Sequence, residues 1–169
     1  MELERPSLRL VSSYVEFLDE IATHGEHVWP ARPEPGETPD AFVARILRDE
    51  DSPDPPRVPQ TTYWATENDR VVGHIGLRHR LNEELAEFGG HIGYNVRPSC
   101  RRRGLATEML RRVLATPKAR EIGRLLLTCA PDNVASNRTI VTNGGVLERT
   151  IFADRVGRST NLYWIDLRQ

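Results

Sequence analysis

Gly93-Tyr94-Asn95-Val96-Arg97-Pro98-Ser99-Cys100-Arg101-Arg102-Arg103-Gly104-Leu105-Ala106-Thr107 is the most informative stretch of this chain. Its first part reads as a strand that ends at Val96, because Pro98 lacks the N–H that a ladder needs. Its last part opens a helix over 102–116. Leu105, Ala106, Met109, Leu110, Val113 and Leu114 form one apolar stripe there, with Arg111 and Arg112 facing away. Between the two lies a basic turn with one glycine. Strand, turn and helix N-terminus together make an anion site, since first-turn N–H groups lack intrahelical acceptors and the helix dipole is positive there. Gly104 removes a Cβ where a phosphate would approach, Ala106 keeps the next contact small, and Arg101, Arg102 and Arg103 add positive charge. Gly-x-Gly-x-x-Gly and Gly-x4-Gly-Lys-Ser/Thr are both absent, so the dinucleotide-fold and P-loop readings lose support, and a nucleotide-binding protein of another type stays as a third reading. Gly89-Gly90-His91-Ile92-Gly93 has glycines, but they lead into a strand.

Outward from this stretch, the periodicity gives a strand within 2–11 and a helix behind Ser12-Ser13, with Gly25 as its stop. A second helix fits 38–50, with Thr38 as N-cap and Pro39 as its first residue. Eight of the twelve prolines fall between Pro30 and Pro59, so 51–59 is an exposed loop. Strands follow at 61–67 and 70–79, joined by Asn68-Asp69, and another runs from His91 to Val96. Beyond the long helix, Pro117 is expected to break or kink it. Arg124 to Cys129 reads as a buried strand, 133–143 as a helix closed by Gly144-Gly145, and 146–154 and 159–167 as a last hairpin. The order predicts a mixed α/β (α+β) domain over residues 1–169.

Composition narrows the function classes. With 169 residues the chain is expected to form one domain with one core. A net charge of -1 argues against a dedicated nucleic-acid binder. No apolar run approaches a membrane span, and Met1 to Arg5 does not begin a signal peptide. Cys100 and Cys129 are too few for a disulfide scaffold, so a reducing, cytoplasmic location is expected. Of the 23 basic residues only Lys118 is lysine, so isolated arginines carry little weight and clustered ones more.

Arg101-Arg102-Arg103-Gly104-Leu105-Ala106 resembles the Arg/Gln-x-x-Gly-x-Gly/Ala motif of the GNAT superfamily of acyl-CoA-dependent N-acetyltransferases. Asn133-Val134-Ala135-Ser136, followed by Ile140, Asn143, Gly144 and Gly145, resembles the Asn-x-x-Ser helix after that family's fifth strand. The element order agrees over almost the whole chain, and Gly73 to Leu147 is similar to a bacterial predicted-acetyltransferase subgroup. The resemblance implies a single domain with a mixed, mostly antiparallel sheet flanked by helices and splayed between strands four and five. It implies acetyl transfer from acetyl-CoA, without a metal, to a primary amine of a small molecule or a peptide N-terminus by direct attack. Nucleic acid and membrane are not expected partners, and a homodimer is possible by family habit. The alternative is a non-catalytic acyl-CoA-binding sensor or regulatory module.

Carried onto this chain, the resemblance assigns the diphosphate to backbone N–H groups of Arg102, Arg103, Gly104, Leu105, Ala106 and Thr107, with Arg101 beside them. Backbone around Tyr94 and Val96 pairs with the pantetheine arm, and an N–H near Val96 polarises the thioester carbonyl. Asn133 and Ser136 touch the pantetheine or the leaving sulfur. The sequence departs from many members at Ile140, where a tyrosine would protonate that sulfur, so Tyr63, Tyr94 and Tyr163 are not drafted in its place.

Other residues keep two readings each. His91, entering the strand, either accepts the ammonium proton or is a hydrogen-bonded strand histidine. His74 has the same pair of readings. Asn133 caps the following helix as well as serving a cofactor. Glu87 is a base or merely exposed, and Phe88 shapes an acceptor pocket or packs in the core. Cys129 reads as an inert core thiol, whereas Cys100 sits in the basic loop. His24 and His27 have metal-ligand spacing, but no further ligands complete a site. Acidic residues in 12–50 and 146–167, among them Glu16, Asp19, Glu20, Glu26, Asp49, Glu50 and Asp166, suit a cationic amine but are scattered.

Overall fold

The computed structural model describes residues 1–26 and 31–168. The elements are β1 (Glu2–Glu4), α1 (Val11–Thr23), α2 (Pro39–Arg48), β2 (Gln60–Glu67), β3 (Arg70–Arg78), α3 (Glu83–Glu87) and β4 (Ile92–Val96), then α4 (Leu105–Leu114), α5 (Pro117–Ile122), β5 (Arg124–Cys129), α6 (Val134–Thr142), β6 (Val146–Ala153) and β7 (Arg158–Asp166). The strands form a sheet of order β1-β2-β3-β4 and a sheet of order β5-β7-β6, so the fold is mixed α/β and the break falls between β4 and β5 as expected. Among the described residues no helix is long and apolar enough to cross a membrane. Contacts divide the chain into two compact units, residues 1–76 with 94–106 and residues 77–93 with 107–169.

In the first unit, β1 is only three residues long because Pro6 ends it. β1 pairs antiparallel with β2, Glu2 opposite Thr66 and Glu4 opposite Trp64. The core is built on α1, whose Tyr14, Phe17, Leu18 and Ile21 are fully buried with Phe42 and Trp64. Tyr14 stacks on Trp64 at 4.2 Å between ring centroids. Ser12 and Ser13 lie inside α1 rather than capping it. Ser13 is used there: its hydroxyl accepts the Val71 N–H at 2.9 Å and its carbonyl accepts Arg97 Nη2 at 2.7 Å. Thr38 caps α2 as expected, accepting from the Ala41 N–H, with Pro39 behind it.

In the second unit β7 is the central strand. Leu125 faces Ile165 and Leu127 faces Tyr163 on one side, and Ile151 faces Thr160 on the other. Met109, Leu110 and Val113 of α4 are fully buried while Arg111 is exposed, which is the expected stripe. Pro117 does not simply break this helix. It starts α5, with Thr116 as N-cap accepting the Ala119 N–H, since proline at a first helical position forfeits an N–H that would be unbonded anyway. The short α3, capped by Asn82 on the Leu85 N–H, was not expected from the periodicity.

Candidate active site

The site is built from the end of β4 and the turn that leads into α4. Arg97 donates its backbone N–H to the Val72 carbonyl at 2.9 Å. Backbone groups alternate in direction along a strand, so Tyr94 and Val96 direct theirs to the edge of β4 away from β3. β4 ends its sheet's order, so this edge is where an extended ligand can add as a strand.

The turn that follows is held on both sides. Arg97 is 2% exposed and reaches the Ser13 carbonyl, with Glu16 and Glu20 carboxylates at 3.9 and 3.8 Å. Glu20 Oε1 also accepts the Ser99 N–H at 2.5 Å. Burial alone would raise the Glu20 pKa, but the Ser99 hydrogen bonds and the charges of Arg97 and Arg70 outweigh it, and the carboxyl stays below its usual range. Cys100 is buried in this turn. Arg102 (φ 61°) and Gly104 (φ 75°) are both left-handed, which is why α4 starts at Leu105 and not at 102. Alternating left-handed residues turn successive N–H groups toward one concavity, the geometry of an anion nest. A Cβ on Gly104 would meet nothing within 4 Å, so the space before the helix is open on the protein side. Leu105 is buried and fixes the helix start.

The arginine side chains do something different from the expectation. Arg101 makes a bidentate pair with Glu26 and gives its Nε to the Val96 carbonyl at 3.2 Å. Arg103 pairs with Glu67 at 2.8 Å. Both guanidinium groups are therefore committed to protein carboxylates, while Arg102 lies exposed in the same turn.

In the second unit His91 is 7% exposed and clamped to β5. Its N–H donates to the Leu126 carbonyl at 2.7 Å, and its Nδ1 accepts the Leu126 N–H at 2.9 Å. A neutral imidazole has one lone pair, and here it is taken, so Nε2 carries the hydrogen and nothing is left to accept an ammonium proton. Burial first, and the Arg78 charge second, lower its pKa to about 4. The glycines before it serve the same clamp. Arg78 Nη1 donates to the Gly89 and Gly90 carbonyls, and Gly89 N–H donates to Thr128 Oγ1. Gly90 has φ 60°, and a Cβ there would lie 2.4 Å from the Leu126 carbonyl oxygen. The second reading of His91, a hydrogen-bonded structural histidine, is the one this geometry favours over a general base.

Asn133 caps α6, its Oδ1 accepting the Ser136 N–H at 3.1 Å. Thr107 lies in the first turn of α4 and its carbonyl accepts Asn143 Nδ2. Ile140 is 1% exposed. Tyr163 donates its O–H to Asn137 Oδ1 at 2.5 Å and is not directed elsewhere. Burial pushes the Cys129 thiol up to about 11, consistent with an inert core cysteine. Glu87 is exposed, Phe88 lies under the Arg158 guanidinium, and His74 is buried beside Tyr14 in the first unit. His24 is exposed, and His27 lies outside the described residues. Among the described residues no three His, Cys, Asp or Glu side chains gather as a metal site.

Tyr94, Val96 and the residues from Arg101 to Ala106 lie in one run within the first unit. The sequence reading missed Glu20 and Arg97, whose partners are about 80 positions away in sequence. It also missed Asn137, hidden inside the Asn-x-x-Ser helix.

The chain belongs to the acetyltransferase (GNAT) family, whose model matches residues 22–141. Its fold is shared with a microcin C7 self-immunity acetyltransferase solved with acetyl-CoA and AMP. The identity is 16%, over 97% of this chain and 91% of that one, with a TM-score of 0.71. It is shared with a Salmonella typhimurium acetyltransferase that modifies the N-terminal serine of a ribosomal protein, at 18% identity over 97% and 93%, TM-score 0.67. A ribosomal-protein alanine acetyltransferase from Vibrio fischeri is similar at 14% identity over 99% and 92%, TM-score 0.69. A search of curated protein sequences finds no match.

Proposed function

We propose that this acetyltransferase moves the acetyl group of acetyl-CoA to the α-amino group of a peptide or amino acid by direct attack, and that residues 1–169 act as one N-acetyltransferase domain. The carrying observation is the left-handed Arg102 and Gly104 pair at the start of α4, directly after the outward edge of β4. The residues fit the cofactor: the turn is open beside Gly104, and β4 ends its sheet's order. When bound, acetyl-CoA supplies a thioester carbonyl for the amine to attack and a thiolate that leaves. In this reading, backbone N–H groups from Arg102 to Thr107 hold the diphosphate. An N–H near Val96 faces the carbonyl oxygen as its negative charge grows, a contact worth about 3 kcal/mol in comparable sites.

Two features support an α-amino acceptor. His91 has no free lone pair, so the amine must lose its proton to water. For an alkyl ammonium of pKa near 10.4 that costs about 4–5 kcal/mol at pH 7, but for an α-amino group near 8 only about 1 kcal/mol. Most carboxylates suggested for a cationic acceptor are also taken by arginines: Asp19 by Arg32, Glu20 by Arg97, Glu26 by Arg101, Asp49 by Arg57, Glu50 by Arg5 and Asp166 by Arg168. That supports a singly charged amine over a polycation. A homodimer is part of the reading, supported by edge strand β6, which exposes Val146, Leu147 and Phe152.

The second reading is an acyl-CoA-binding module without turnover, favoured by the buried aliphatic Ile140 where an acid would stand. Thiol release from acetyl-CoA with peptides, amino acids, polyamines and aminoglycosides separates the two. Release with any amine establishes transfer, and binding of acetyl-CoA with no release across the panel favours the module.

A further inference from the structure

Three carboxylates hold the turn that leads into α4, and they do so in two different ways. Glu26 and Glu67 pair with the side chains of Arg101 and Arg103. Glu20 holds the chain itself, its Oε1 accepting the Ser99 backbone N–H at 2.5 Å. The next two N–H groups are also spent. That of Cys100 goes to the Arg97 carbonyl at 2.8 Å, and that of Arg101 to the Pro98 carbonyl at 3.3 Å. The run assigned to the diphosphate begins at the following residue, Arg102, where the turn first becomes left-handed. Glu20 thus fixes one end of a short satisfied stretch whose other end opens into the nest.

The helix behind Glu20 is a firm support, since Tyr14, Phe17, Leu18 and Ile21 on α1 are fully buried. Glu16 and Glu20 are one helical turn apart and share a face, and both carboxylates stand by Arg97, at 3.9 and 3.8 Å. Arg97 is 2% exposed and is itself fixed to α1 through the Ser13 carbonyl. A lone carboxylate beside an anion site would oppose the anion. Here Arg97 and Arg70, each 3.8 Å from Glu20, offset its charge and leave its oxygen as an acceptor. All of these residues belong to the first unit, together with the turn up to Ala106. We propose that Glu20 is a positioning residue for acetyl-CoA, setting the turn so that the N–H groups from Arg102 to Ala106 meet the diphosphate; this rests on the acetyltransferase reading above. Glu20 acts through the Ser99 backbone and does not itself touch the cofactor.

The test compares acetyl-CoA binding by calorimetry in wild type and three variants, at a temperature where each is folded by circular dichroism. Glu20→Gln and Glu20→Ala remove the same negative charge, so any Coulomb gain for an anionic ligand is common to both. Only Glu20→Gln keeps a side-chain oxygen for the Ser99 N–H. Glu20→Ala is therefore expected to bind acetyl-CoA about five- to tenfold more weakly than Glu20→Gln, the worth of one hydrogen bond. Glu20→Asp keeps the charge but shortens the reach by a methylene, and is expected to bind about fivefold more weakly than wild type. If Glu20→Ala does not fold, Glu20→Asp against wild type carries the test. A role confined to stability lowers the melting temperature and leaves affinity alone, so equal affinity within the pair compared overturns the proposal. A wild-type chain that binds no acetyl-CoA overturns the acetyltransferase reading first, and this proposal with it.

Discussion

Glu20 on α1 accepts the backbone N–H of Ser99 at 2.5 Å, so one carboxylate ties the first long helix to the turn that precedes α4. The same carboxylate lies 3.8 Å from Arg97 and from Arg70. Glu20→Ala leaves a backbone donor and a 2%-exposed guanidinium short of an acceptor, which is expected to cost about 1–3 kcal/mol of stability. Glu20→Gln keeps an acceptor for Ser99 and should cost less. Because the folded carboxyl lies below its ordinary 4.5, its contribution is complete above that pH and lost as pH falls through the folded value. Urea unfolding of the three proteins at pH 7 and pH 4 checks both statements; equal stability of Glu20→Ala and wild type at pH 7 would remove the tie.

His91 gives a second pH dependence at a higher range. Its pKa is lowered from 6.5 to about 4 in the folded chain, so between those values the unfolded chain binds more protons. Stability is then complete above pH 6.5 and declines as pH falls toward 4, by at most about 3 kcal/mol. His91→Gln, whose amide oxygen can still accept the Leu126 N–H, is expected to flatten this decline. Melting curves from pH 7.5 to 4.5 decide it; an unchanged slope in the variant would place the titration elsewhere.

Much of the fold was legible because its signals are local. The apolar stripe of α4, Thr38 before Pro39 and the Gly104 turn each announce themselves within a few residues. The misses share a physical cause. Ser12 and Ser13 looked like caps, but Ser13 is needed inside the helix as a partner for Val71 and Arg97, which lie far along the chain. His91 looked like a base because the sequence cannot show that Leu126 takes its lone pair. The arginine cluster looked like a phosphate clamp because Glu26 and Glu67, which occupy two of its members, are distant in sequence.

Gly104 separates backbone strain from ligand exclusion. At φ 75° any side chain is strained, yet a Cβ meets nothing within 4 Å. Gly104→Ala should therefore fold with a loss of about 1 kcal/mol. Gly104→Glu adds bulk and negative charge where the diphosphate is proposed to sit, and should weaken acetyl-CoA binding by more than about a hundredfold. Near wild-type affinity in Gly104→Glu would place the diphosphate elsewhere.

Arg101 and Arg103 give the opposite expectation to the one their sequence suggests. Each is already paired, with Glu26 and with Glu67. Each guanidinium is turned to its carboxylate in a solvent-exposed pair, where a unit change of charge is well screened, so Arg101→Ala and Arg103→Ala should each weaken acetyl-CoA binding by less than about tenfold. Calorimetry at low and moderate salt reads this directly. A loss comparable to that of Gly104→Glu would mean that the arginines leave their carboxylates for the ligand.

The identity of the acceptor can be read from the pH profile. With the His91 lone pair engaged, no described side chain around β4 is assigned to take the amine's proton, so the acceptor's own ionisation should govern the rate. For a peptide N-terminus, kcat/KM is expected to rise tenfold per pH unit and level off near pH 8, the range of an α-amino group. For a polyamine the rise should continue toward pH 10, with a rate at pH 7 lower by about two orders of magnitude for equal intrinsic reactivity. His91→Gln should leave the midpoint of the peptide profile where it is. A midpoint well below 8 that the variant abolishes would instead restore His91 as the base, and would require the Leu126 hydrogen bond to open during turnover.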